Sequence, residues 1–137
     1  MKIVKFIIAV SSIIISLVAY AESEVSKIKK IESVYSNILL CSFMTERASE
    51  DKDMEWIIYE QDIMDSRRAL QRIDNYLQSE LSDKDYKKVG LVGGTRSINA
   101  SLYRKRELAK MTTADRKKAT TEDLEYCRNI WAGLLGM

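Results

Sequence analysis

The stretch Lys87-Lys88-Val89-Gly90-Leu91-Val92-Gly93-Gly94-Thr95-Arg96-Ser97 holds three of the five glycines in a chain of 137 residues. Its reading decides the fold. A glycine-rich turn feeding a helix N-terminus is an anion site, and in that case the surrounding chain would have to supply a sheet. A phosphate loop places four residues between its first glycine and a Gly-Lys-Ser/Thr, and it follows a buried strand. Here Gly90 and Gly94 are closer together, no lysine follows, and the only strand-like run is Val89-Gly90-Leu91-Val92. A dinucleotide fingerprint fails in the same way, because no βαβ unit surrounds it. The stretch therefore reads as a helix stop at Gly90, a mobile turn, and a new helix capped by Thr95 or Ser97.

Outward from that turn the pattern is helical throughout. The chain has no proline, and Lys, Glu, Leu, Ile, Arg, Met and Gln dominate it, a composition that favours helix and offers few breaks. Ile28, Ile31, Val34, Ile38 and Cys41 recur at three- and four-residue steps and predict a first helix over about 26–47, followed by a polar break at 48–52. Trp56, Tyr59, Ile63, Ser66, Leu70, Ile73 and Leu77 form a seam that predicts a second helix from Asp53 to Glu80. Ser82-Asp83-Lys84-Asp85 resembles a capping box and predicts a short helix to Val89. After the glycine turn, Ile98, Leu102, Leu108 and Met111 mark the core face of a third main helix, whose other face carries Arg96, Arg104, Lys105, Arg106 and Lys110. A polar connection over 111–118 and a cap at Thr120 lead to a last helix bearing Leu124, Cys127, Trp131 and Leu134. The expected fold class is all-α: a small four-helix-type bundle with an additional short helix.

The N-terminus carries a second message. Lys2 and Lys5 precede an apolar run from Phe6 to Val18, and Ala19-Tyr20-Ala21 closes it ahead of Glu22. A basic start, an apolar centre and a small-x-small site are the grammar of a secretory signal peptide cleaved after Ala21. The run from Phe6 to Ala21 is shorter than the ~20 residues a spanning helix needs. The expectation is a leader at 1–21 and a single helical domain at 22–137, periplasmic or secreted, with no membrane span after cleavage. Two cysteines, Cys41 and Cys127, lie on the apolar stripes of the first and last helices. In an exported chain an even count argues for a disulfide, here one linking the terminal helices.

Charge and residue inventory exclude several functions. Without the leader the chain holds 20 basic and 20 acidic side chains, so a global nucleic-acid footprint is missing. The distribution is uneven, with 8 basic against 14 acidic residues over 22–83 and 11 against 3 over 84–118. Such a dipole steers a charged partner or sets the register of a homodimer. No histidine is present, which removes imidazole triads and His-based zinc sites, and two thiolates alone do not complete a zinc shell. The carboxylates Glu50, Asp51, Asp53, Glu55 and Glu60 suit a helix start better than a catalytic pair. They also lack the ligand spacing of a calcium loop. The sequence thus points to no enzyme, no metal and no cofactor.

What remains is a binding protein. In size, export signal and cysteine placement it is similar to helical periplasmic immunity proteins, pilotins and small stress chaperones. The leading expectation is an accessory protein of an envelope secretion, pilus or conjugation system with a protein partner in the cell envelope. The alternatives are an immunity protein that blocks a cell-wall-degrading enzyme, and a cell-wall enzyme using the acidic cluster. The expected contact surface is Leu91, Val92, Gly93 and Gly94 with Arg96, Tyr103 and Arg104, because an apolar-and-basic turn beside an exposed tyrosine suits partner contact.

Overall fold

Strong helix formers, caps at the segment starts and no proline yield four helices among the described residues of the computed structural model. They are α1 (Lys2–Glu50), α2 (Glu60–Glu80), α3 (Asp83–Ala109) and α4 (Thr113–Leu135), with a single 3-10 turn, Lys52–Met54, after α1. The structure describes the backbone of residues 2–136 and the side chains of residues 24–136, so the expected leader at 1–21 lies outside the described side chains. The chain divides into two units, Met1–Ile31 and Glu32–Met137, and the bundle is the second. Among the described residues there is no strand.

The core is built where the stripes meet. Ile38 and Cys41 of α1, Leu77 of α2, Val89 of α3, and Leu124, Cys127 and Trp131 of α4 are all nearly inaccessible, with Met54 of the 3-10 turn beneath them. Cys41 and Cys127 form the expected disulfide, with a Cα–Cα distance of 5.5 Å, and it links the first and last helices as the stripes implied. Polar ties fix the remaining contacts. Tyr86 Oη donates to Asp74 Oδ1 at 2.8 Å between α3 and α2. Arg104 holds both oxygens of Asp123 at 2.9 Å between α3 and α4.

The largest departure from expectation is α3. It runs without interruption from Asp83 to Ala109, so the short helix at 82–89, the stop at Gly90 and the turn at 91–94 are one helix. Ser82 caps it as the sequence suggested, accepting from the Asp85 amide at 3.2 Å. Glycine ends a helix by adopting a left-handed conformation, and among the described residues only Gly136 has a positive φ, 73°, at the end of α4. Gly93 serves a different purpose. A Cβ built on it would lie 2.6 Å from Tyr35 Cδ1 and 3.6 Å from the Glu32 carbonyl oxygen, so the missing side chain is the space in which α1 crosses α3. Small residues extend that crossing: Ser97 Oγ donates to the Ser36 carbonyl at 2.8 Å, and Ser97 and Ser101 are both buried.

Two further boundaries and one residue's face differ from expectation. The seam expected from Trp56 and Tyr59 onward begins too early, because α2 starts at Glu60 and residues 55–59 form a connecting turn. The buried stripe of α2 is Asp62, Ser66, Ala69, Ile73 and Leu77, while Trp56 is 86% exposed and Tyr59 and Tyr76 are exposed as well. Asp62 accounts for the late start: its carboxylate accepts from the Tyr59 amide at 2.8 Å and satisfies an open helix-terminal donor. Likewise α4 is capped by Thr112, which accepts from the Asp115 amide at 3.1 Å, so the polar connection at 111–118 is mostly helix and Thr120 is buried within it. Val34, placed on the core face of α1 by periodicity, is exposed.

Candidate interaction surface

With α3 continuous, one helical register governs every residue from 83 to 109, and it sorts the expected contact residues onto different faces. Leu91 points outward and is 73% exposed. Val92 is half-buried, and Gly94 is half-buried with open space around it. Gly93 is buried against Tyr35. Arg96 is exposed, and Tyr103 is 66% exposed on the neighbouring face, seven residues further on. Arg104 is turned inward and engaged by Asp123, whose bidentate hydrogen bonds raise the guanidinium pKa further above its ordinary value.

Two residues assigned to the core by the sequence belong to the outward face instead. Ile98 is 50% exposed and Leu102 is 48% exposed, and with Leu91 they follow a 7-and-4 spacing that places all three on one line of the helix. Lys84, Lys87, Lys88, Lys105 and Arg106 are exposed on either side of that line. The acidic residues of α3 stand apart from it: Asp83 and Asp85 lie in the first turn, and Glu107 is bound to Lys110 at 3.0 Å. The result is an apolar stripe with a basic border. The signal for it was present in the spacing, but it emerges only when the glycines are allowed inside the helix.

Two carboxylates of the acidic cluster, Asp51 and Asp53, make ties within the fold. The Asp51 carboxylate accepts from the Asp53 amide at 3.0 Å and caps the 3-10 turn. Arg116 bridges to Asp51 at 3.2 Å and to Asp53 at 2.6 Å, fastening the turn to α4. A second clamp lies nearby, where Arg128 grips both oxygens of Asp62 at 2.8 Å, donates to the Ile57 carbonyl at 3.1 Å and lies 5.1 Å above the Tyr59 ring. These hydrogen bonds hold the guanidinium proton and raise its pKa. Among the described residues no group of three or more metal-ligating side chains converges. No helix of the described residues is long and apolar enough to cross a membrane.

Comparison of the chain with models of protein families, with characterised proteins and with solved structures finds no match. The class defined by fold and surface is therefore a disulfide-linked α-helical bundle with one outward apolar-and-basic helix face.

Proposed function

We propose that the protein is an exported binding factor that uses the outward face of α3 to dock an acidic, amphipathic surface of a protein partner in the cell envelope. The observation that carries this reading is the line Leu91, Ile98 and Leu102 between lysine and arginine borders. Three aliphatic side chains about half or more exposed line up on one helix face, and apolar strips with polar rims mark interaction sites. The basic border selects an acidic counterpart and raises the encounter rate. Export is supported by the leader grammar of residues 1–21 and by the Cys41–Cys127 bond, since stable disulfides belong to oxidising compartments. Within the envelope, the role that suits a small stoichiometric binder with this surface is an accessory subunit of a secretion, pilus or conjugation assembly.

The test is cross-linking in intact cells with a photoreactive residue at position 95, an exposed site within one turn of Ile98, followed by identification of the adduct. Ile98→Asp with Leu102→Asp should abolish the adduct while shifting thermal stability little, because exposed substitutions generally cost within ~0.5 kcal/mol. Lys87→Glu with Lys88→Glu should weaken it in a salt-dependent way. An adduct unchanged by the Asp pair removes α3 from the interface.

A further inference from the structure

A cleft of about 270 Å³ opens where the ends of α1 and α3 meet α4 and the 3-10 turn. Its floor is apolar, built from Met44, Ala48, Met54, Leu108 and Leu124. Its polar wall is uneven in charge. The two acids that reach it are already neutralised, Asp123 by Nε and Nη2 of Arg104 at 2.9 Å and Asp51 by Arg116 at 3.2 Å. The cations Arg47 and Lys105 also line it, and among the described residues neither is paired with a carboxylate. Arg47 is the sharper case. Its Nη2 donates to the Ser101 carbonyl at 2.9 Å and to the Ser101 hydroxyl, while its Nη1 is buried and has no hydrogen-bond partner. A buried guanidinium N–H left open is costly, and the unpaired charges of Arg47 and Lys105 at the cleft make a carboxylate its complementary group.

We propose that this cleft binds an aliphatic monocarboxylate, with its carboxylate on Arg47 and its hydrocarbon body on the Met44, Met54, Leu108 and Leu124 floor. At roughly 30 Å³ per water molecule the cleft has room for about nine, which sets the ligand at about that number of heavy atoms. Two sources present this chemistry: a free medium-chain fatty acid, and the C-terminal leucine or isoleucine of another protein. The site shares Lys105 with the border of the α3 surface, but its Arg47 and apolar floor lie outside it, so it stands whether or not that surface binds a partner.

The experiment uses the purified protein with octanoate, octanol, a short peptide ending in leucine, and the same peptide with an amidated C-terminus, read by calorimetric titration and by thermal unfolding. Octanoate or the free-acid peptide should bind saturably and raise the midpoint, and octanol and the amide should not. Whichever acid binds identifies the source. Arg47→Gln should weaken that binding by about tenfold or more, given the worth of a charge-assisted hydrogen bond. The comparison of acid with alcohol on the unaltered protein remains decisive if Arg47→Gln fails to fold. Binding of octanol as tightly as octanoate, or saturable binding of neither acid, overturns the proposal.

Discussion

The three glycines of α3 lie within five residues, yet they should respond to alanine with opposite signs. Helix propensity favours alanine over an interior glycine by about 0.8–1 kcal/mol. At Gly90 and Gly94 an added Cβ meets nothing within 4 Å, so Gly90→Ala and Gly94→Ala should each stabilise by roughly that amount. At Gly93 the same Cβ would fall 2.6 Å from Tyr35 Cδ1 and 3.3 Å from Cε1. Those atoms belong to the inner edge of a ring on α1 and cannot yield without moving the ring or the helix. Overpacking of this kind costs about 1–3 kcal/mol, and widening the crossing also lengthens the 2.8 Å bond from Ser97 to the Ser36 carbonyl. With the propensity gain subtracted, Gly93→Ala should destabilise by up to about 2 kcal/mol, or up to roughly 8 °C in Tm for a chain of this size. Thermal unfolding followed by far-ultraviolet circular dichroism measures all three. The double variant with Tyr35→Ala provides the internal check, because removing the ring should turn the Gly93→Ala effect favourable. A Gly93→Ala protein as stable as Gly94→Ala would refute the close crossing of α1 and α3.

Further outcomes follow from the ties between helices. The disulfide closes a loop of 86 residues, worth about 4–5 kcal/mol in the chain-entropy account. Cys41→Ala with Cys127→Ala should therefore lower the denaturant midpoint steeply, and a loss under about 1 kcal/mol would contradict that account. Arg128→Met leaves the buried Asp62 carboxylate without its partner and should cost about 2 kcal/mol, since Arg128 is partly solvated. Equilibrium unfolding in denaturant gives the value. At alkaline pH, burial raises the pKa of Tyr35, and hydrogen bonding to Asp74 raises that of Tyr86. A raised folded pKa means that the stability these phenols contribute is complete below the unfolded value near 10 and is lost as pH climbs through the folded one. Tm should hold to about pH 9 and then fall, less steeply in Tyr35→Phe with Tyr86→Phe; equal slopes in the two proteins would exclude these phenols as the cause.

The helical class, the α3 cap at Ser82 and the pairing of Cys41 with Cys127 were legible because each depends on a local signal or on a forced choice. Caps are written in three or four adjacent residues, and two cysteines allow one pairing. The glycine stretch misled for a physical reason: the same residue supplies a left-handed stop or a missing Cβ, and which one applies depends on whether a distant side chain, here Tyr35, occupies the space. Once Gly90 is taken as a stop, Ile98 and Leu102 start a new register and fall on the core face; with the helix continuous they fall outward. Trp56 and Tyr59 were counted into a seam because they are apolar at helical spacing, but the helix start is fixed by Asp62 accepting from the Tyr59 amide, a bond that periodicity does not report. The cleft at Arg47 draws on α1, the 3-10 turn, α3 and α4, so no window of sequence contains it.

The disulfide also orders events in time. At about 5–20 residues synthesised per second, Cys127, 86 positions after Cys41, follows it by roughly 4–17 s, and a Cys41 that reaches an oxidising compartment in that interval has no partner in its own chain. During that interval its only available mates are on other molecules, including the Cys41 of a neighbouring nascent copy. Once Cys127 arrives, the native bond needs no isomerase to choose among pairings. Errors in its maturation should therefore be covalent dimers rather than scrambled monomers.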